Sequence, residues 1–167
     1  HHLNVAEAKG WSGEWITGAY IFYALAGIIP VLFAGPLIDR FRAERVIQVM
    51  LIPLMGACLM LATADRAFWV IPYMIMMGLH TGLIHTSASA LWAELYGPQH
   101  LGAIKSLYLA LMVFASAVGP VVMGMLMDAG LSIYRVCSVF GGFIAVGAVL
   151  IVLALRMRPT PPDIVSP

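Results

Sequence analysis

Long apolar stretches alternate with short polar segments along the 167-residue chain. Five of these stretches contain no Asp, Glu, Lys or Arg, and they cover residues 15–38, 46–64, 67–93, 106–127 and 136–155. Each has close to the roughly 20 residues that an α-helix needs to cross the hydrocarbon core of a bilayer. The pattern therefore predicts an all-α membrane protein in which five transmembrane helices form one bundle.

Transmembrane strands do not explain these stretches, because such strands have about 10 residues of alternating polarity and the stretches here are continuously apolar. The composition agrees with a membrane protein: 62% of the residues are hydrophobic and 10% are charged, whereas soluble domains have about 25% charged residues. Cys58 and Cys137 both lie in apolar stretches, which favours buried thiols over a disulfide framework. We expect no nucleic-acid partner.

The basic residues between the stretches are unevenly distributed. Counting along the chain, the second, fourth and sixth polar segments hold six of them, and the first, third and fifth hold Lys9, Arg66 and Arg135. The positive-inside rule therefore places the second, fourth and sixth segments in the cytoplasm. This predicts an external loop at 1–14, the bundle at 15–158 and a cytoplasmic tail at 159–167, in a multi-pass protein of the plasma (inner) membrane.

The segment GPLIDRFRAER, Gly35–Arg45, concentrates five charged side chains between two apolar stretches. On charge alone it is a basic loop that fixes topology at the inner face, where arginines hold phosphate headgroups or carboxylates. Its spacing resembles the loop signature of the major facilitator superfamily, G-x-x-x-D-R-x-G-R followed by a further basic position. Gly35, Asp39, Arg40 and Arg45 match, whereas Arg42 replaces the expected glycine and Ala43 the expected arginine.

Two further segments are similar to the same family: residues 90–107 resemble a cytoplasmic loop, and residues 115–130 resemble the Gly-Pro helix that follows it. The resemblance implies that the five stretches are helices eight to twelve of a twelve-helix transporter, within its C-terminal six-helix half. It implies three partners: the lipid bilayer, a small-molecule substrate and an N-terminal half that is missing from this chain. It also implies that Gly35, Asp39, Arg40 and Arg45 form a cytoplasmic gating loop, with Glu94 placed to pair with Arg40 or Arg45.

Two histidines lie inside the third apolar stretch, where ionisable side chains are uncommon and often functional. His80 and His85 are about 140° apart around a helix and do not share a face. His85 shares a stripe with Gly78, Gly82 and Ser89, which suits close packing or a cavity wall. We therefore expect His85 to be the better cavity residue and His80 the weaker, with a hydrogen-bonded structural histidine as the alternative for each.

Two tyrosines and a serine are further candidates within the stretches. Tyr20 and Tyr23 lie three residues apart and near one face of the first helix, where they line a cavity or pack against a neighbour. Ser89 is a further cavity candidate. The spacing of the histidines does not suit a metal on one helix, so we expect no metal, no other cofactor and no catalytic residues.

The sequence thus favours a secondary transporter that moves a small solute by alternating access, as a symporter or antiporter. Proton coupling is one form of this mechanism, because histidine titrates close to neutral pH. The alternative is a membrane bundle without transport activity, an enzyme or a sensor, that uses His80 and His85.

Overall fold

A computed structural model describes residues 2–157, and the predicted tail at 159–167 lies outside the described residues. Two single 3-10 turns, Ala67–Trp69 and Pro98–His100, precede α6 and α7. The α-helices are α1 (His2–Ala8), α2 (Gly13–Gly18), α3 (Tyr20–Phe41), α4 (Ala43–Val49), α5 (Leu51–Thr63), α6 (Val70–Tyr96), α7 (Leu101–Asp128) and α8 (Ile133–Met157).

The helices join into five segments that are long and apolar enough to cross a membrane, counted within the described part of the chain. We call them the first to fifth spans: Gly13–Phe41, Ala43–Thr63, Ala67–Tyr96, Pro98–Asp128 and Ile133–Met157. The described residues form no strand. The prediction of an all-α membrane protein with five transmembrane helices is confirmed.

The structure differs from the sequence pattern at the polar segments, which are more helical than expected. The segment 1–14, predicted as a loop, contains α1, because Val5 and Ala6 are buried against the ends of other helices. The charged segment, Gly35–Arg45, is also helical except at Arg42: α3 continues to Phe41 and α4 begins at Ala43. The side of the membrane on which each segment lies stays a prediction.

Breaks at Ala19 and Met50 interrupt the first and second spans, and Arg42 separates the two spans. Pro53 lies in the first turn of α5. Proline lacks an N–H and is tolerated in the first turn of a helix, but it disfavours one continuous helix through α4 and α5. The second span accordingly breaks at Met50. At Arg42 the backbone turns to φ 65°, ψ 147°, which ends α3 and starts α4.

The tightest packing in the bundle joins α3 to α6 through glycines. A Cβ atom at Gly82 would overlap the carbonyl oxygen of Gly27 and lie 3.2 Å from the Cβ of Pro30. A Cβ at Gly78 would overlap the carbonyl oxygen of Tyr23. The two backbones touch because no side chain separates them, as small residues allow between transmembrane helices.

Two apolar clusters lie at opposite ends of the bundle. One joins α1 and α2 to the ends of α5, α6 and α8, and it includes Ala6, Ile16, Leu61 and Val70. The other joins α4 to the last turns of α6 around Ala43 and Leu91, with residues of α8 beside it. The first, second, third and fifth spans are thereby held together at both ends.

The fourth span stands apart from this arrangement. Within residues 2–157, no residue of α7 is buried, and large side chains such as Leu107, Phe114 and Met125 are exposed. α7 contacts α6 and α8 only over a short part of its length. Its apolar surface is therefore left for lipid or for another helical segment.

Candidate functional site

A groove of about 300 Å³ runs along the contact between α3 and α6. Its walls are mostly aliphatic, and its polar groups come from Tyr23, Thr81 and His85. The residues that line it are Tyr23, Ala24, Gly27, Ile28, Val31, Leu32, Thr81, Gly82 and His85. The structure thus brings two predicted cavity residues, Tyr23 and His85, to one site.

The two hydroxyl groups of the groove form a short chain of hydrogen bonds. Tyr23 Oη donates to Thr81 Oγ1 at 3.2 Å, and Thr81 Oγ1 donates to the carbonyl oxygen of Met77 at 2.9 Å. Tyr23 comes from α3 and Thr81 from α6, so this chain bridges the two helices beside their glycine contact. Thr81 was not among the residues expected from the sequence. Threonine is common in membrane helices, so the sequence does not distinguish Thr81 from the others. Only its hydrogen bond with Tyr23 identifies it as a residue of the groove.

The two histidines of α6 have different surroundings. His85 is exposed at the edge of the groove. His80 is partly buried on another side, where its Nδ1–H donates to the carbonyl oxygen of Met50 at 2.9 Å. Because Met50 is the residue at which the second span breaks, His80 stabilises that break. The environment of His80 matches the structural alternative that the sequence left open.

Tyr20 and Ser89 do not line the groove. Tyr20 Oη is hydrogen-bonded to Nδ1 of His2 at 2.7 Å, and Tyr73 Oη is hydrogen-bonded to Nε2 of the same ring at 2.8 Å. The rings of Tyr20 and Tyr23 are 6.1 Å apart in an edge-to-face arrangement. Ser89 is partly buried two turns of α6 beyond Gly82. These placements put Tyr20 near the α1 end of the groove and Ser89 away from it.

The charged segment at the other end of α3 holds one unusual residue. Arg42 is the one non-glycine residue with positive φ among residues 2–157. Its φ of 65° and ψ of 147° lie in a region that glycine occupies far more readily than other residues. Arg42 also replaces the glycine of the loop signature. Arg42 thus holds a strained backbone conformation at the position where the signature has glycine.

Glu94 contacts the charged segment differently from the expected ion pair. Its Oε1 accepts a hydrogen bond from the backbone N–H of Ala43 at 3.1 Å. Among the described residues, neither Arg40 nor Arg45 lies within 4.0 Å of this carboxylate, and the ion pair of the segment joins Arg42 to Glu44 at 3.7 Å. Glu94 thus contacts the N-terminus of α4 in place of the expected arginine. The first N–H groups of a helix have no acceptor within the helix, and a carboxylate is favoured beside them.

The remaining residues of the loop signature face outward. Gly35, Asp39, Arg40 and Arg45 are exposed. The guanidinium of Arg40 lies 5.4 Å from the ring centroid of Phe41. These side chains are accessible to headgroups, to solvent or to another part of the protein.

A second cavity, of about 750 Å³, lies beside Glu94. Arg42 and Glu94 stand at its polar edge, and the ring of Trp92 lies 6.1 Å from that of Tyr108. Aliphatic residues of α4, α6 and α8 form its floor, including Ile47, Leu91 and Leu155. Sequence reasoning missed this cavity because its walls come from five helices and no motif joins them.

The opposite end of the bundle is closed by a polar clasp. Lys9 Nζ donates to the carbonyl oxygen of Ala64 at 2.7 Å, and Trp11 Nε1 donates to that of Asp65 at 2.8 Å. Tyr134 Oη donates to Oδ1 of Asp65 at 2.6 Å. Burial lowers the pKa of Lys9, and the nearby Asp65 opposes this effect. We call Lys9, Trp11, Asp65 and Tyr134 the outer clasp, after the external side that the sequence predicts for this end of the bundle.

The described residues hold no group of three or more His, Cys, Asp or Glu side chains that could bind a metal ion. Cys58 and Cys137 are free thiols. The prediction that no metal or cofactor takes part is not tested by this observation.

Comparison with protein families matched residues 3–167 to the model described as Major Facilitator Superfamily. Searches of curated proteins and of solved structures gave no match. The family match covers nearly the whole chain and includes the groove, the charged segment and the outer clasp.

Proposed function

Because the chain belongs to the major facilitator superfamily, a family of transporters, we propose that it moves a small solute by alternating access, as a secondary transporter in the plasma membrane. Alternating access requires two helical bodies that rock about a site near the bilayer midplane. The groove between α3 and α6 lies between the two apolar clusters. Its polar lining residues are Tyr23, Thr81 and His85. This placement is the observation that supports the proposal.

The second body of the transporter is an N-terminal half that packs against α3 and α7. Both helices present apolar surface that the described residues leave uncovered, including Ile28 and Leu32 on α3 and Phe114 and Val121 on α7. In this arrangement the five spans are helices eight to twelve, and the groove is one wall of the solute site. The opposite wall comes from the N-terminal half.

The charged segment acts as the cytoplasmic gate of this transporter. Glu94 fixes the start of α4 through Ala43, while Asp39, Arg40 and Arg45 stay exposed and free to contact the other half. In a protein shown to transport, Asp39→Asn should slow uptake at an unchanged amount of folded protein. Uptake at the parental rate would remove Asp39 from the gate.

The alternative, an enzyme or sensor that uses both histidines, is less well supported. His80 is engaged with Met50 and lies on another side of α6 from His85. Membership of a transporter family also favours transport over an enzyme or a sensor. We assign the proton-coupled form of the mechanism to His85, because His85 is the histidine on the groove.

Access to the groove from both sides of the membrane tests alternating access without knowledge of the solute. In a variant with Cys58 and Cys137 replaced by alanine, His85→Cys should react with a membrane-impermeant maleimide from either side of sealed vesicles. Phe143→Cys, on the exposed apolar surface of α8, serves as the matched control and should stay unreactive from both sides. Reaction of His85→Cys from one side only, or from neither, would contradict the proposal.

A further inference from the structure

The hydrogen-bond chain in the groove has a fixed direction. The carbonyl oxygen of Met77 can only accept, so the single hydroxyl hydrogen of Thr81 must point toward it. Thr81 Oγ1 then has no hydrogen left for Tyr23, and Tyr23 must be the donor of the 3.2 Å bond between them. The order Tyr23 to Thr81 to Met77 therefore follows from the chemistry of the three groups.

This direction decides what the groove offers to a solute. Both hydroxyl hydrogens are used in hydrogen bonds within the protein. Tyr23 Oη and Thr81 Oγ1 can therefore offer a solute only their lone pairs, as acceptors. The lining residues include no Lys, Arg, Asn or Gln, and the backbone N–H groups of α3 and α6 are used within their helices. His85 can donate or accept according to its tautomer. The groove is thus rich in acceptors and poor in donors.

We infer that the solute of this groove is a hydrogen-bond donor, a hydroxyl or ammonium group attached to a small flat apolar body, and that carboxylates and phosphates are disfavoured. This inference rests on the proposed transport function. A carboxylate has only lone pairs to offer, so Tyr23 and Thr81 give it no hydrogen bond, and His85 is the one side chain of the groove that can donate to it. A carboxylate with so few donors is costly to hold away from water. A donor pairs with these oxygens without changing the bonds already present.

The shape of the groove supports the apolar part of the inference. Ile28, Val31 and Leu32 form an aliphatic wall, and the aromatic side chain of Tyr23 also lines the groove. The volume of about 300 Å³ is at the lower end of the range of about 300–1,000 Å³ for ligand pockets. A single ring with a short polar arm fits along this wall of the solute site.

Three probes of nearly equal size test the inference: 2-phenylethylamine, 2-phenylethanol and phenylacetate. Tritiated 2-phenylethylamine is bound to the purified full-length transporter, with its N-terminal half, in lipid nanodiscs, with empty nanodiscs as the blank, and the other two compete. We expect saturable binding that 2-phenylethanol displaces about twofold to tenfold more strongly than phenylacetate, the ratio that one neutral hydrogen bond supplies. Absence of saturable binding, or equal or stronger displacement by phenylacetate, overturns the inference.

Variants locate the binding at the groove. Tyr23→Phe keeps the ring and removes the acceptor, and it should weaken 2-phenylethylamine binding by about fivefold to tenfold while leaving phenylacetate unchanged. Tyr108→Phe makes the same change in the second cavity and should leave both affinities as they are. Equal loss in the two variants, or no loss in Tyr23→Phe, would show that the amine binds elsewhere.

The result is separable from the test of alternating access. Donor-selective binding together with one-sided reactivity of His85→Cys would retain the groove and remove the transport mechanism. Two-sided reactivity with a preference for phenylacetate would retain transport and overturn the inferred solute class.

Discussion

The ammonium group of Lys9 lies 3.9 Å from the centroid of the Tyr134 ring. The two residues are far apart in the chain, and they meet because Lys9 also donates to the carbonyl of Ala64 at the C-terminal end of α5. A cation is favoured both over an aromatic face and at a helix C-terminus. This contact joins the segment before the first span to the second and fifth spans.

Replacement of Lys9 by methionine should destabilise the protein. The ammonium interactions are worth about 0.5–1 kcal/mol at a partly exposed site, so the apparent melting temperature in detergent should fall. Lys9→Arg keeps a cation over Tyr134 and should recover part of the loss. Lys105→Met, at an exposed position of α7, is the control. Equal effects of Lys9→Met and Lys105→Met would show that the outer clasp does not stabilise the bundle.

Replacement of Gly82 by alanine should force α3 and α6 apart. The added Cβ would overlap the carbonyl oxygen of Gly27, and overpacking of this kind costs about 1–3 kcal/mol. The free energy of unfolding should fall accordingly. Gly147→Ala in α8 has no atom within 4 Å of the new Cβ and should be neutral or stabilising, because alanine is the better helix former. Equal melting temperatures for the two variants would refute the close contact.

Replacement of Arg42 by glycine should stabilise the protein. Glycine adopts φ 65°, ψ 147° without a steric cost, and relief of such strain is worth about 1–3 kcal/mol, less the contribution of the ion pair between the exposed Arg42 and the partly buried Glu44. Arg45→Gly lies within α4 and should instead destabilise it by about 1 kcal/mol. Thermal unfolding of both variants checks the prediction, and a lower melting temperature for Arg42→Gly would contradict it.

Replacement of Glu94 by alanine should loosen the start of α4. The N–H of Ala43 is buried, and loss of its partner costs about 1–3 kcal/mol. Glu94→Gln keeps an acceptor oxygen and loses only the charge at the helix N-terminus, worth about 0.3–1 kcal/mol. Hydrogen exchange at Ala43 should therefore accelerate most in Glu94→Ala, with the exposed Glu7→Ala as the control. Equal exchange in all three variants would exclude this contact.

Some of the candidate site could be predicted from the sequence. The stripe of Gly78, Gly82 and His85 follows from helical periodicity, and the structure places all three along the contact with α3. Tyr23 was a candidate for the same reason. Periodicity could not separate Tyr23 from Tyr20, because both lie near one face and only the neighbouring helix distinguishes them. It could not find Thr81, whose significance comes from a hydroxyl on another helix.

The sequence by itself determined that five helices cross a membrane, because the energetic cost of charge in hydrocarbon limits where charged residues can lie. It also determined the family, since the spacing of Gly35, Asp39, Arg40 and Arg45 is local. Only the tertiary structure decided which helices touch, that Glu94 contacts the backbone of Ala43 in place of an arginine, and that Lys9 meets Tyr134. Such pairings are fixed by packing between distant segments, and a one-dimensional pattern carries no record of them.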